Sequence, residues 1–212
     1  NWPTTWRPYI YRMKNALDNK SAGDLIRMHY INGHTGPLGV GARHRGVTEN
    51  AENMTDEEKS KTWWYRAENG GGAFLDICCY GCMYSRFLNK EKAISVMAYS
   101  ANLNTKFSNA EDNVAAIIRY PSAMSVIEAT WTVPQAIIPS GPVLYCTEGV
   151  IYCTKENGVP GVKAMDIYGN NIEVPEIEYP EHMKNIAWHY AHHIKTGEPV
   201  YETLTLERNI EV

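Results

Sequence analysis

Two side chains able to move a proton, Asp76 and Tyr80, stand four residues apart just after three glycines, Gly70, Gly71 and Gly72. The spacing predicts a helix that starts past the glycines, and residues four apart on a helix share a face. Asp76 then falls in the first or second turn, where unpaired N–H groups and the helix dipole favour a carboxylate. A carboxylate and a phenol one turn apart form an acid/base pair. A helix-start aspartate followed by a core tyrosine has the same spacing, and both readings stand at this point.

Other groups with chemistry are scattered upstream and downstream. His34 lies in Gly33-His34-Thr35-Gly36-Pro37-Leu38-Gly39-Val40-Gly41, too glycine-rich for a regular element. That segment opens an irregular stretch running to about Asn69, and loops of this length are usually functional or mobile. His34 is a candidate substrate contact; a histidine bonded to local backbone is the other reading. Trp64 and Arg66 stand just before the glycines. An aromatic face suits a sugar or ring and a guanidinium suits a polar or anionic group, while core packing beside a surface arginine is the alternative. Five cysteines, three of them (Cys78, Cys79, Cys82) on one predicted helix, do not resemble a disulfide framework or a paired zinc site. They read as buried thiols in a reducing, cytoplasmic setting. His182, His189 and His193 line one edge of a predicted helix over 181–196. Two histidines at i, i+4 can hold zinc, but the glutamate of His-Glu-x-x-His is missing, so an exposed histidine stripe is expected.

The elements that would position these groups follow from periodicity. Residues 1–23 read as a helix capped by Pro3-Thr4-Thr5, with Pro8 in its first turn. Residues 24–32 read as a strand. After the central helix, strands are predicted at 93–100, 112–120, 123–133, 142–147, 150–154, 162–168 and 171–174, joined by short turns. Such connections imply an antiparallel sheet, and the helical crossovers of a doubly wound parallel sheet are missing. The helix over 181–196 carries Met183, Ile186, Ala187, Tyr190 and Ile194 on one face, and Gly197 and Pro199 end it. Residues 200–212 lead into a further helix. A net charge of −4 gives no electrostatic case for nucleic acid or an anionic membrane surface, and no apolar run reaches membrane-spanning length.

In this order the motifs resemble the Gfo/Idh/MocA oxidoreductases, which include glucose–fructose oxidoreductase, inositol dehydrogenases and dihydrodiol dehydrogenase. Pro8 with Lys14 and then Ala22-Gly23-Asp24 look like the helix that connects a nucleotide domain to the sheet domain. Trp64 followed by Gly70-Gly71-Gly72-Ala73-Phe74-Leu75-Asp76 looks like the family's Trp…Gly-Gly-Gly-x-Leu/Phe-x-Asp signature. Glu111-Asp112-Asn113 before a hairpin ending at Trp131, Cys146 with Gly149-Val150-Ile151, and His193 to Pro199 complete the set. The resemblance covers nearly the whole chain, as the family's second domain. It implies residues 1–23 as a connecting helix and 24–212 as a C-terminal α+β substrate and oligomerisation domain. That domain is a mostly antiparallel open sheet with helices on one face, and the Rossmann domain is missing. It further implies Tyr80 as the acid/base, where many members have histidine, and Asp76 as its partner. Cys78 replaces the usual glycine two residues after the aspartate.

The cofactor implied is NAD or NADP in the full-length protein, with none expected for this fragment. The 212 residues lack Gly-x-Gly-x-x-Gly and the family's Glu-Lys-Pro lysine, so the fragment alone is expected to be inactive. The partners implied are a sugar-like substrate and a second copy meeting through the open sheet face. Two other classes stay open. One is a non-catalytic structural module of the same fold. The other is a metal-dependent hydrolase or isomerase built on His34, Asp76, His189 and His193.

Overall fold

Strands form where apolar residues recur every second position. In a computed structural model, which describes residues 6–41, 51–134, 137–139 and 141–212, Val114, Ala116 and Ile118 of β3 (Asn113–Arg119) point inward while Ala115 and Ile117 point out. β4 (Met124–Thr130) alternates likewise, burying Ser125, Ile127 and Ala129. The two pair antiparallel with Ala116 opposite Ile127, and Tyr120 closes the hairpin by donating its N–H to the Ala123 carbonyl. The other strands are β1 (Leu25–Gly33), β2 (Ser95–Ala101), β5 (Val143–Cys146), β6 (Gly149–Glu156), β7 (Val159–Asp166) and β8 (Asn171–Ile172). The sheet order is β2-β3-β4-β1-β5-β6-β7-β8. The five pairings β2–β3, β3–β4, β5–β6, β6–β7 and β7–β8 are all antiparallel. This is the α+β architecture that the short-turn strands predict.

The chain divides into two compact units. The first comprises residues 1–28, 82–92 and 140–212. In it α1 (Pro8–Asp18) buries Ile10, Met13 and Leu17 and packs on β6 and β7. Pro8 occupies the first turn of α1 as expected; the cap expected from Pro3, Thr4 and Thr5 lies outside the described residues. Trp6, Tyr11, Phe87, Tyr179 and Tyr201 form an edge-to-face aromatic cluster. Arg12 ties the segment after β8 to α1 through the carbonyls of Val174 and Pro175 and the carboxylate of Glu176.

The helix expected over 181–196 is two pieces. A 3-10 turn (Glu181–Met183) precedes the α-helix Ile186–Thr196, because Asn185 caps that helix by accepting the Trp188 N–H. Its apolar face is not core: Tyr190 and Ile194 are exposed. The expectation of an exposed histidine stripe is corrected as well. His189 is only 4% exposed, tilted against Trp6, and its Nε2 accepts the Tyr201 N–H. His182 stacks on His192 with ring centroids 4.0 Å apart. Phase on a lone helix showed the histidine spacing but not that Trp6 and Tyr201 cover it.

The second unit comprises residues 29–81 and 93–139, and the candidate site lies within it. The irregular stretch contains a short capped helix, Asp56–Ser60, whose Thr55 and Glu58 form a reciprocal capping box. Two 3-10 turns follow, Trp63–Tyr65 and Ala67–Asn69.

Candidate active site

The glycine run builds a turn rather than a cradle. The Gly71 N–H donates to the Arg66 carbonyl and the Gly72 N–H to the Trp64 carbonyl, both at 3.0 Å. A side chain on Gly71 would put its Cβ 2.3 Å from the Trp64 oxygen. Gly72 has φ +114, and a Cβ there would meet Glu111 Oε1 at 2.2 Å, so only glycine combines this backbone with this approach. Glu111 uses the space: its carbonyl accepts the Ala73 N–H at 3.0 Å and its Oε1 accepts the Phe74 N–H at 2.9 Å. Two of the orphan donors at a helix start are thereby satisfied.

The helix that follows begins as a π-turn, Phe74–Cys78, in which the Cys79 N–H reaches five residues back to the Phe74 carbonyl. It continues as the α-helix Cys79–Leu88. Such one-residue bulges redirect side chains and concentrate at functional sites. Gly81 brings the helix close to the sheet, since a Cβ on it would lie 2.3 Å from Ile127 Cγ2 and 2.7 Å from Tyr30 Cδ1.

Asp76 is in the first turn, as its spacing predicts. Its Oδ2 accepts the Trp131 indole N–H at 2.9 Å and lies 3.0 Å from His34 Nε2. The His34 ring stacks on the Trp131 indole at a centroid distance of 6.4 Å and an angle of 28°. His34 is held at the end of β1, its N–H donating to the Thr130 carbonyl one residue before Trp131. Beneath this group Tyr65 is buried, edge-on to Trp131 and Phe107, with its hydroxyl accepting the Leu38 N–H at 3.1 Å. Burial raises the Tyr65 pKa; the Leu38 N–H acts against that, and the Asp76 carboxylate adds to it. Tyr65 therefore stays a neutral phenol and supports the site without supplying a charge.

The other predicted residues stand in different surroundings. Tyr80 is half-buried on the α-helix just past the π-turn. Trp64 is half-buried and tilted against Trp63 at 5.0 Å. Arg66 is exposed and ion-paired with Glu68. The side-chain amide of Asn109, reinforced by Arg66, holds the Glu68 carboxyl down to about 2. The structure thus brings His34 and Asp76 together, while Trp64 and Arg66 shape the turn beside them. Trp131 and Tyr65 were not among the residues singled out for the site. The inward parity of β4 was the available signal for Trp131, which continues the series Ile127, Ala129. Tyr65 carries no comparable signal, because its role is set by Phe107 and Leu38. Among the described residues, no group of three or more His, Cys, Asp or Glu could hold a metal ion.

A family model described as the GFO/IDH/MocA C-terminal domain matches residues 10–152. Among solved structures, the fold is similar to that of an aldose-aldose oxidoreductase from Caulobacter crescentus complexed with glycerol, at TM-score 0.68 and 15% identity over 94% of this chain and 54% of that one. It is also similar to an oxidoreductase from Agrobacterium radiobacter in complex with NAD+, L-tartaric acid and magnesium, at TM-score 0.61 and 12% identity over 94% and 55%. An NAD-binding protein from Listeria innocua matches at TM-score 0.64 and 13% identity over 98% and 56%. At these identities the likeness is one of fold. The chain spans just over half the length of each of these three.

Proposed function

The chain belongs to the GFO/IDH/MocA C-terminal domain family, and on that premise we propose that it is the substrate-binding and oligomerisation part of an NAD(P)-dependent oxidoreductase. Its substrate class is a sugar, a polyol or a related hydroxyl or carbonyl compound. Residues 1–23 connect it to a nucleotide-binding domain, and residues 24–212 form the substrate domain. The observation that carries the reading is the pair of half-buried His34 and Asp76, bonded to the buried Trp131, beside the glycine turn. Polar hydrogen-bonding groups that stay part-exposed on a rigid support suit a hydroxylated ring.

Tyr80 is the acid/base and Asp76 its partner in this reading, with His34, Trp64 and Arg66 in contact with substrate. The glycine turn does not fit a dinucleotide: the Gly71 and Gly72 amides already donate to carbonyls of the turn. We therefore place NAD or NADP on residues outside this chain, where the nicotinamide supplies the hydride acceptor or donor. What this chain supplies is the substrate's orientation and the movement of its hydroxyl proton. A phenol can donate its proton to a carbonyl. Five cysteines outside any disulfide suit a reducing cytoplasm, and no helix among the described residues is long and apolar enough to cross a membrane.

The test is the full-length protein titrated with NADH and NADPH by fluorescence, followed by kinetics of Tyr80→Phe. The expected result is binding of one dinucleotide by both proteins and a kcat reduced by roughly 10²- to 10⁴-fold in the variant. A kcat near that of the wild type removes Tyr80 from the role. No fluorescence change with either dinucleotide favours a non-catalytic assembly module.

A further inference from the structure

We propose that the outward apolar face of the helix Ile186–Thr196 and the closing helix Leu206–Glu211 is where the domain joined through residues 1–23 docks. The proposal rests on the oxidoreductase reading above, in which that domain is the nucleotide-binding one.

The helix Ile186–Thr196 turns its apolar stripe away from the core. Ala187, Tyr190, Ala191 and Ile194 recur at helical spacing, and all four are exposed. Tyr190 is 42% exposed and Ile194 79%. The closing helix adds Leu206 and Ile210, one turn apart and 76% and 75% exposed. Between the two helices lies a groove of about 360 Å³, lined by Ile186, Tyr190, Leu204, Leu206 and Asn209. Apolar side chains scattered singly on a surface need no explanation. A continuous stripe beside a groove marks an interaction surface.

The stripe is held outward from the other side of the helix. His189 is buried against Trp6, with ring centroids 5.3 Å apart, and its Nε2 accepts the Tyr201 N–H at 2.7 Å. Asn185 caps the first turn by accepting the Trp188 N–H at 3.0 Å, and Gly197 ends the last turn at φ +76. The closing helix is tied down as well. Thr205 accepts the Arg208 N–H at its start, and Arg208 ion-pairs with Glu202 at 2.7 Å. Turning either helix to bury its apolar residues would break these contacts.

The entry to α1 argues for the occupant. Trp6 is buried against both His189 and Tyr201, at 5.3 and 5.9 Å. The start of α1 therefore lies against the helix whose opposite side carries the stripe. A domain joined through residues 1–23 is delivered beside that helix at the roughly millimolar effective concentration of a short tether. A second copy of the chain would have to find the same face from solution.

The experiment uses the full-length protein with Tyr190→p-benzoylphenylalanine, a photo-cross-linking residue of similar shape, mapped by peptide mass spectrometry after irradiation. The expected product keeps the mass of one chain on a denaturing gel and is joined to residues that precede Asn1. Ile194→Glu combined with Ile210→Glu should lower its yield by about tenfold or more, because docking would desolvate unpaired carboxylates. Both side chains are exposed, so thermal unfolding of this domain should change little. A product of doubled mass, joined to a second copy, overturns the proposal in favour of self-association. No cross-link outside the 212 residues overturns it outright. A yield that the glutamates leave within about twofold of the unsubstituted stripe does the same. Titration with NADH and NADPH separates this inference from the reading beneath it. Cross-links to the preceding residues without dinucleotide binding overturn the oxidoreductase reading and leave the docking face standing. Dinucleotide binding without those cross-links overturns the docking face alone.

Discussion

Asp112, next to the Glu111 that caps the central helix, is fully buried and charged. Its carboxylate accepts the N–H groups of Leu103, Asn104 and Thr105 and the side-chain amide of Asn113, at 2.7–2.9 Å. Burial pushes its pKa up, but these donors together outweigh it and hold the carboxyl at about 2. The folded group is more acidic than the ordinary aspartate of the unfolded chain, near 3.9. The stabilisation is therefore complete above about pH 4 and lost as the pH falls through about 2, amounting to about 2 kcal/mol. Asp112→Asn should lose that much in urea unfolding at pH 6 and differ little from the wild type near pH 2. His189 carries the opposite lesson. Burial first, then the neighbouring His182, His192 and His193, lower its pKa, so the fold keeps it neutral. As pH falls below the ordinary imidazole value of about 6.5 the unfolded chain takes up a proton that the fold refuses. Stability present above that pH is lost below it, and His189→Gln should flatten the pH dependence of the unfolding midpoint between about pH 7 and 5.

The central segment, from the glycine turn through the π-turn to Gly81, depends on positions where side chains are excluded. Gly81→Ala would drive a methyl into Ile127 and Tyr30. The expected cost is about 1–3 kcal/mol, read as a lower midpoint in thermal unfolding, because a packed interior gives way only by displacement. The strands of this fold were legible in the sequence because period-two burial needs only local residues, as in β3 and β4. The Asp76 position was legible for the same reason, since a glycine turn and helix phase are local. Half of the site was not. The groups that engage Asp76 are 42 and 55 residues away, on the ends of β1 and β4, and their meeting is decided by strand pairing, which helix phase does not encode. The π-turn was hidden too, because one extra residue in a turn leaves the apolar pattern around it nearly intact.

At the scale of the molecule, the chain covers just over half of the proteins it matches. One apolar surface lies within the second unit. On the outward face of β2 and β3, Met97 stands opposite Ile117, and Tyr99 opposite Ala115. Met97 is 73% exposed, Tyr99 84% and Ile117 45%. Antiparallel sheets that face water on one side place polar residues there, and a contiguous apolar patch marks an interaction surface. A second copy of the chain is the occupant we propose. The prediction is made on Met97→Glu combined with Ile117→Glu in the full-length protein. Both side chains are already exposed, so glutamates there should leave the thermal unfolding of the monomer nearly unchanged. Buried between two copies, the same carboxylates would be desolvated without partners, which is costly enough to dissociate an interface of ordinary size. Light scattering after size-exclusion chromatography should show a smaller particle for the double variant than for the wild type. An assembly of unchanged mass would mean that this face is not where the copies meet.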